Sequence, residues 1–333
     1  MTIRSDLIKR RTSCGFIGPL ILAAAVAVGT VFFPLFHQTA REQYAISLSG
    51  DEGDGSQQAM SGSVMNLYSN HVLLVRLEDF QTLREYQSSA VIYPASMTKM
   101  MTAILAIEAL DNFDEQIVIQ PSWIEELREK NASMAGFLPG EAVCVRDLLY
   151  AALLPSGADA AVALASRVSG SEENFTELMN EKARSLGMQN THFANATGLH
   201  DDSHVTTLKD MALLMDYALD NAIFRRIFTT HEYQTKPTKF HENGLYLEST
   251  LFGKMAEAAK EEDGSLGAQG EMPGTGWIIG GKTGYTPQAG LCLASLAQIG
   301  SDEYILLTSG ACGDTTTLPY HIFDAVEVYE HIK

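Results

Sequence analysis

Residues 93–99 read Tyr-Pro-Ala-Ser-Met-Thr-Lys, and a mostly apolar run without a helix breaker, residues 100–110, follows them. The proline ends an extended entry, so the pattern predicts a buried helix with Ser96 in its first turn. A spacing of three places Ser96 and Lys99 on one helix face, where the amine can reach the hydroxyl. Because a serine hydroxyl is a weak nucleophile until a base takes its proton, the pair predicts a nucleophile and its base.

Two later stretches carry polar groups that suit the same chemistry. Residues 153–160 place Ser156 in a sharp turn, bounded by a proline and a glycine, before a helical pattern. Residues 280–286 read Gly-Gly-Lys-Thr-Gly-Tyr-Thr on a predicted strand, where the glycines let a ligand approach the backbone closely. Taken singly, each has a simpler explanation, Ser156 as a helix cap and Lys282 as a surface charge.

The order of the predicted elements indicates an α+β fold. Strand patterns occur near both ends of the chain, and the middle is rich in helical patterns. This layout predicts one antiparallel sheet, built from N- and C-terminal parts and flanked by helices, with an inserted helical lobe. The predicted strands are residues 72–77, 82–86, 276–283, 291–298 and 303–309, and the predicted helices are residues 145–169, 172–186, 208–228 and 315–332.

The N-terminal segment predicts a membrane anchor. Residues 15–36 carry no charge and, at about 1.5 Å per residue, are long enough to cross a bilayer core of about 30 Å as one helix. Basic residues precede this run, which predicts a cytoplasmic N-terminus, residues 1–14, and a single-pass protein of the cell membrane. A cleaved signal peptide is the competing interpretation. A polar linker, residues 37–63, then leads to an extracytoplasmic catalytic domain, residues 64–333.

Charge and cysteine content exclude several classes of function. The net charge of −18 argues against a nucleic-acid partner, because binding phosphates requires a basic surface. The four cysteines form no Cys-x-x-Cys pair, so a zinc ribbon or a thioredoxin-like site has no support, and Cys144 and Cys292 are predicted to be buried thiols. His200 and His204, with the aspartates between them, form the one histidine cluster that a zinc peptidase could use, but they lie in a predicted loop.

Together and in this order, the three polar stretches resemble the Ser-x-x-Lys, Ser-x-Asn and Lys-Thr-Gly motifs of penicillin-binding proteins and class A β-lactamases. Further segments are similar to the serine D-alanyl-D-alanine carboxypeptidases of the low-molecular-mass penicillin-binding proteins, the peptidase S11 type. These are Pro-Gly-Glu at 139–141, Phe-Ala-Asn-Ala-Thr-Gly-Leu at 193–199 and Ala-Gly at 289–290. The resemblance runs from residue 72 to the C-terminus and implies the β-lactamase/penicillin-binding-protein-like fold.

The resemblance also implies an activity, the removal of the terminal D-alanine from peptidoglycan pentapeptide stems or their precursors. Ser96 would form an acyl-enzyme, Lys99 would take its proton while neutral, and Ser156 would relay the proton to the leaving amine. Burial and the nearby charge of Lys282 are both expected to favour the neutral form of Lys99.

The strand motif would bind the substrate. Lys282 and Thr283 would hold the terminal carboxylate, and Gly284 and Tyr285 would continue the substrate-binding strand. The backbone N–H groups of Ser96 and Tyr285 would form the oxyanion hole. No cofactor and no metal are implied.

The partners implied are a peptidoglycan stem peptide ending in D-Ala-D-Ala, β-lactams as covalent inhibitors, and the membrane through the N-terminal helix, with no nucleic acid. Removing the terminal D-alanine would also remove the target of glycopeptide antibiotics, so a contribution to resistance stands beside a housekeeping role.

One position departs from the family pattern, and other functions stay open. Ala158 stands where the second motif usually has asparagine, which puts the reaction rate and β-lactam sensitivity in doubt. The alternatives are a β-lactamase-like hydrolase, a non-catalytic penicillin-binding module and a transpeptidase. Glu-Leu-Met-Asn at 177–180 superficially resembles a deacylation motif, but its spacing is one residue short and its periodicity predicts a helix surface.

Overall fold

The computed structural model describes residues 66–261, 266–272 and 274–332. The chain divides into two units, Met1–Tyr68 and Ser69–Lys333, and the second carries the helices and strands of the described residues. The predictions for residues 1–14, 15–36 and 37–63 lie outside the described residues. Among the residues that are described, no helix is long and apolar enough to cross a membrane.

The first elements are the predicted hairpin and the helix that follows it. Strands β1 (His71–Arg76) and β2 (Gln81–Tyr86) pair antiparallel. After an extended entry, a 3-10 turn at Ala95–Thr98 leads into helix α1, Lys99–Ala109. Every residue of α1 from Lys99 to Ile107 is buried, as expected for a helix that is apolar on nearly all sides.

The middle of the chain forms the predicted helical lobe. The expected helix over residues 145–169 is two helices, because Pro155 cannot donate a backbone hydrogen bond and Ser156 adopts a left-handed φ of 65°. The expected helix over residues 208–228 breaks at Asn221, whose side chain caps the second half. The elements are β3 (Gln116–Val118), α2 (Pro121–Glu129), β4 (Ala142–Cys144), α3 (Val145–Leu153), α4 (Ala158–Ser169), α5 (Glu172–Ser185), α6 (Leu208–Asp220) and α7 (Ala222–Phe228).

The last part of the chain completes the sheet. Its elements are β5 (Glu232–Gln234), β6 (Tyr246–Glu248), α8 (Thr250–Glu261), β7 (Glu271–Met272), β8 (Gly276–Thr286), β9 (Gly290–Ile299), β10 (Asp302–Ala311) and α9 (Tyr320–Glu330). The six-stranded sheet has the order β2-β1-β10-β9-β8-β7, and all its neighbours are antiparallel. The N-terminal hairpin therefore joins the C-terminal strands in one sheet, which confirms the predicted α+β arrangement.

The core lies between the sheet and the helical lobe, with α1 at its centre. Buried side chains of α1 pack in one cluster with residues of β1 and β10 and with helices α3, α4 and α6. Cys144 and Cys292 are buried thiols, as predicted. Because α1 lies inside the protein, the residue at its N-terminus, Lys99, is also removed from solvent.

Candidate active site

Ser96 and Lys99 form a hydrogen-bonded pair at the start of α1. Ser96 lies in the 3-10 turn that precedes the α-helix, and the Lys99 Nζ is 3.0 Å from the Ser96 Oγ. Lys99 is only 2% exposed. The predicted proximity is therefore confirmed, although the serine sits in a tighter turn than the first turn of an α-helix.

A loop on the other side of Lys99 supplies the second partner of its amine. The Nζ donates to the Thr197 carbonyl over 2.7 Å. The Asn195 side chain holds this loop by accepting hydrogen bonds from the Thr197 and Gly198 backbone N–H groups. Gly198 has a φ of +81°, and a Cβ there would lie 1.9 Å from the Ala95 carbonyl oxygen. The loop can thus lie directly against the serine turn only because residue 198 is a glycine.

Burial lowers the pKa of Lys99 to about 7, while the carboxylates of Asp159 and Glu172 act in the opposite direction. A large fraction of the amine is therefore neutral near pH 7, as a general base requires. The predicted charge effect between the two lysines is seen on Lys282 and not on Lys99. Burial, and then the charge of Lys99, lower the pKa of Lys282 well below its ordinary value.

Ser156 lies in the turn between α3 and α4 and is 5% exposed. Its Oγ is buried and has no hydrogen-bond partner among the described residues, so the hydroxyl is not bonded to Ser96 or Lys99 in this state. A neighbouring segment holds the turn, since the Ala158 N–H donates to the Ser133 carbonyl over 2.7 Å. A left-handed backbone and an unbonded buried hydroxyl both cost free energy, which is typical of a functional position.

Ala158, at the position of the usual asparagine, is 1% exposed and packs in a small apolar cluster with Leu127 and Val162. Its methyl group offers no hydrogen bond to Lys99 or to a ligand. The next residue, Asp159, is fully buried and accepts hydrogen bonds from the backbone N–H groups of Ala135, Gly136 and Phe137.

Strand β8 brings the third polar stretch to the serine. A Cβ added at Gly284 would lie 3.0 Å from the Ser96 backbone nitrogen and 3.1 Å from the Ala95 Cβ. The glycine thus permits contact between the strand and the serine turn, and Tyr285 follows it directly. The Ser96 N–H and this end of β8 therefore border the same space, as the oxyanion-hole prediction requires.

The cation and hydroxyl of β8 lie just before this contact. Lys282 is fully buried, and its Nζ donates to the Thr283 carbonyl over 2.8 Å. The Thr283 Oγ1 is 2.7 Å from the Thr250 Oγ1 at the start of α8. Thr250 was not singled out in the sequence, because nothing local marks a threonine as the partner of another that is distant in the chain.

In the part of the chain that the structure describes, His200 and His204 make structural contacts. His204 Nδ1 accepts from the Ala194 N–H, so its Nε2 carries the proton that bonds the Thr98 hydroxyl at 2.8 Å. Burial lowers the pKa of His204 to about 4, which keeps the ring neutral. The His200 ring packs edge-on against Tyr93. Within the described residues, no group of three or more His, Cys, Asp or Glu side chains is placed to hold a metal ion.

The segment that superficially resembles a deacylation motif, residues 177–180, is part of helix α5. Glu177 is exposed, in agreement with the predicted helix surface. The Asn180 side chain bonds both the N–H and the carbonyl of Phe193, each over 2.8 Å. It thus supports the loop that presents Thr197 to Lys99.

Comparisons with known proteins identify the family. The family model described as Peptidase_S11, D-alanyl-D-alanine carboxypeptidase, matches residues 57–312. The D-alanyl-D-alanine carboxypeptidase DacF of Bacillus subtilis is 31% identical over 239 residues, which cover 72% of this chain and 56% of the relative. The D-alanyl-D-alanine carboxypeptidase of Streptomyces sp. strain K15 is 30% identical over 243 residues, covering 71% of this chain and 77% of the relative.

The fold comparison points to the same group of proteins. The crystal structure of the Streptomyces K15 DD-transpeptidase superposes with a TM-score of 0.67 at 26% sequence identity, covering 79% of this chain and 96% of that one. The chain spans little more than half the length of the Bacillus relative, but nearly all of the Streptomyces structure.

Proposed function

This chain belongs to the peptidase S11 family of D-alanyl-D-alanine carboxypeptidases, and we propose that it removes the terminal D-alanine from peptidoglycan pentapeptide stems or their precursors. The observation that carries the proposal is the contact at the start of α1. There a serine hydroxyl lies 3.0 Å from a buried amine whose pKa is lowered to about 7. This is a nucleophile beside a base that is poised to accept its proton.

Acylation follows from these positions. The neutral Lys99 amine accepts the hydroxyl proton as the Ser96 Oγ bonds to the carbonyl carbon of the penultimate D-alanine. The Thr197 carbonyl accepts one N–H of the amine, which leaves the nitrogen lone pair for the serine. The negative charge that develops on the substrate oxygen is stabilised by the backbone N–H groups of Ser96 and Tyr285, a contribution of about 3–4 kcal/mol per donor in other enzymes.

Ser156 carries the proton to the leaving group. When the peptide bond breaks, the departing D-alanine nitrogen needs a proton, and Lys99 holds the one taken from Ser96. The Ser156 hydroxyl has no partner among the described residues, so it can accept from the lysine and donate to the nitrogen without breaking another bond. Water then attacks the acyl-enzyme and releases the shortened peptide.

Lys282 and Thr283 recognise the terminal carboxylate. Burial makes the ammonium form of Lys282 costly in the empty site. A carboxylate beside it favours the charged form, so the cation and its ligand stabilise one another. This coupling would restrict the enzyme to peptides with a free C-terminal carboxylate.

Two related reactions use the same acyl-enzyme. β-Lactams would acylate Ser96 and act as covalent inhibitors, with Ala158 leaving one substrate contact unmade. An amine in place of water would give transpeptidation, and the similarity to a structure described as a DD-transpeptidase favours this as a second candidate. The ratio of hydrolysed to aminated product, measured with an added amine acceptor, separates the two.

We also propose that residues 15–36 anchor the protein in the cell membrane as a single span, with the catalytic domain outside the cytoplasm. The support is the uncharged segment and the basic residues before it. Fractionation of cells that express the chain with and without residues 1–36 tests this, because only the full chain should resist alkaline extraction. A contribution to glycopeptide resistance would need D-alanine removal in cells that make resistant precursors.

The direct test of the proposed activity is the release of D-alanine from a peptide ending in D-Ala-D-Ala. The full chain in detergent should release one D-alanine per peptide, and the Ser96→Ala variant should release none above background. The same peptide with an amidated C-terminus is the substrate control and should react poorly. Equal release by the wild type and the Ser96→Ala variant would refute the proposal.

A further inference from the structure

Two carboxylates, the buried Asp159 and the partly buried Glu172, act on the charge of the Lys99 amine. We propose that they are positioning residues that keep Lys99 a strong enough base, and so set the pH range in which Ser96 is activated. The proposal rests on Lys99 acting as the base in the proposed function. Neither residue touches the substrate, and both act through Lys99.

Glu172 acts through the loop that holds the lysine. Its Oε1 accepts the Ala196 N–H over 2.8 Å, and the Ala196 carbonyl accepts the Thr102 hydroxyl over 2.7 Å. The next carbonyl in the chain, that of Thr197, accepts the Lys99 Nζ over 2.7 Å. The glutamate therefore holds Ala196, the residue directly before the one whose carbonyl accepts from Lys99, and its negative charge favours the ammonium form of Lys99.

Asp159 lies in the first turn of α4, and its charge also favours the ammonium form of Lys99. The aspartate is fully buried. Its two oxygens accept the three N–H groups of residues 135–137 and that of Ala160, over 2.9 to 3.2 Å. Burial raises the pKa of Asp159, and these four bonds oppose the rise. Bonds from four N–H groups are the environment that keeps a buried carboxylate ionised.

The two carboxylates offset the cost of burying the amine. An amine removed from water loses proton affinity, and a base whose pKa lies far below the operating pH removes a hydroxyl proton inefficiently. Asp159 and Glu172 favour the ammonium form, and the pKa of Lys99 consequently stays at about 7 despite its burial.

In the described part of the chain, two further titratable groups interact with Lys99. Lys282 faces Lys99 from β8, and the neutral His204 faces it from its loop. Burial raises the pKa of Glu172. The charge of Glu126 raises this pKa further, and the charges of Lys130 and Lys99 lower it.

The first test is Glu172→Gln, because a glutamine oxygen can still accept the Ala196 N–H while the charge is lost. The measurement is the pH dependence of kcat/KM for D-alanine release by the full chain. Removing a negative charge disfavours the ammonium form of Lys99, so the acidic limb should move to lower pH by about 0.5 to 1 unit. The plateau rate should fall, because the base is weaker.

Asp159→Asn is the second variant, and it should move the limb in the same direction. Glu177→Gln, on the exposed face of the same helix as Glu172, is the matched control and should leave the limb in place. If both active-site variants lower the rate without moving the limb, the carboxylates only support the fold and the proposal is wrong.

A readout without turnover separates this proposal from the proposed function. Nitrogen-15 NMR of labelled lysine side chains follows the protonation of Lys99 directly, whether or not the protein cleaves a D-Ala-D-Ala peptide. The Lys99 midpoint should be near pH 7 in the wild type and lower in Glu172→Gln. An unchanged midpoint would overturn the proposal even if the enzyme is active, and a lowered midpoint would support it even if the true substrate is another acyl compound.

Discussion

The two buried lysines of the site are the same side chain in two different settings. Lys99 is 2% exposed and Lys282 is fully buried. Two carboxylates face Lys99, and its pKa settles at about 7. Burial, and then repulsion by the charge of Lys99, lower the pKa of Lys282 well below its ordinary value.

In the proposed function, this difference lets one residue type perform two tasks. Lys99 has counter-charges built into the fold, so it is ready to exchange a proton before any ligand arrives. Among the described residues no carboxylate raises the pKa of Lys282, and in the proposed function the carboxylate of the ligand supplies that counter-charge. A pre-assembled base and an incomplete anion site are therefore distinguished by the charges that surround each amine.

The largest expected effect comes from removing the base itself. Lys99→Met keeps an unbranched apolar chain in the buried position but leaves Ser96 without a proton acceptor. General-base catalysis contributes about 10²- to 10⁴-fold, so acylation by a fluorescent penicillin should slow by that factor. Acylation within fivefold of the wild-type rate would show that Lys99 is not the base that activates Ser96.

Removal of the anion-binding lysine should have a smaller and more selective effect. A hydrogen bond to a charged group contributes about 1.5–3 kcal/mol, so Lys282→Gln should lower kcat/KM for a peptide carboxylate about 10- to 150-fold. The amidated peptide, which lacks the anion, should react with the variant and the wild type at similar rates. If the variant loses as much with the amide as with the acid, Lys282 does not recognise the carboxylate.

The distance between β8 and the serine turn can be changed without altering any charge. Gly284→Ala adds a methyl group 3.0 Å from the Ser96 nitrogen, which should displace the strand and lower kcat/KM about tenfold for acid and amide peptides alike. Gly253→Ala is the control, because no atom lies within 4 Å of its added Cβ. In helix α8 that change should raise the free energy of unfolding by about 0.5–1 kcal/mol and leave kcat/KM unchanged.

The smallest expected effect concerns the hydroxyl beside the anion site. Thr250→Val removes the partner of the Thr283 hydroxyl, a bond of 2.7 Å, while keeping the side-chain volume. A neutral hydrogen bond contributes about 0.5–1.5 kcal/mol, so KM for the carboxylate substrate should rise about two- to tenfold, with kcat nearly unchanged. Thr250→Ser keeps the hydroxyl and should behave as the wild type. A fall in kcat with constant KM would place Thr250 in the chemical step instead.

Local patterns were sufficient to predict the parts of the molecule that depend on neighbouring residues. The hairpin of β1 and β2, the long C-terminal strands and the pairing of Ser96 with Lys99 all follow from short-range periodicity or spacing. The order of the three motifs then identified the family, which the family model confirms.

The remaining features depend on contacts between distant segments. The Thr197 carbonyl contacts Lys99, and the charges of Asp159 and Glu172 act on it, only after the loop and the two helices have packed against α1. A periodic pattern over residues 145–169 likewise could not show where the helix stops, because α3 and α4 share the same apolar spacing across the Ser156 turn. The prediction that the charge of Lys282 lowers the pKa of Lys99 is not seen. Burial lowers the pKa of Lys99, and the charge of Lys99 lowers the pKa of Lys282.

The different roles of the two lysines can be tested most directly by nitrogen-15 NMR, which follows the titration of both side-chain amines in the Ser96→Ala protein. Without a ligand, Lys99 should titrate near pH 7 and Lys282 well below the ordinary pKa of a lysine. A D-Ala-D-Ala peptide should raise the Lys282 midpoint by more than about one unit, because its carboxylate supplies the missing counter-charge, and the amidated peptide should not. A Lys282 midpoint that the carboxylate leaves unchanged, or a Lys99 midpoint near the ordinary value of about 10.4, would contradict this account.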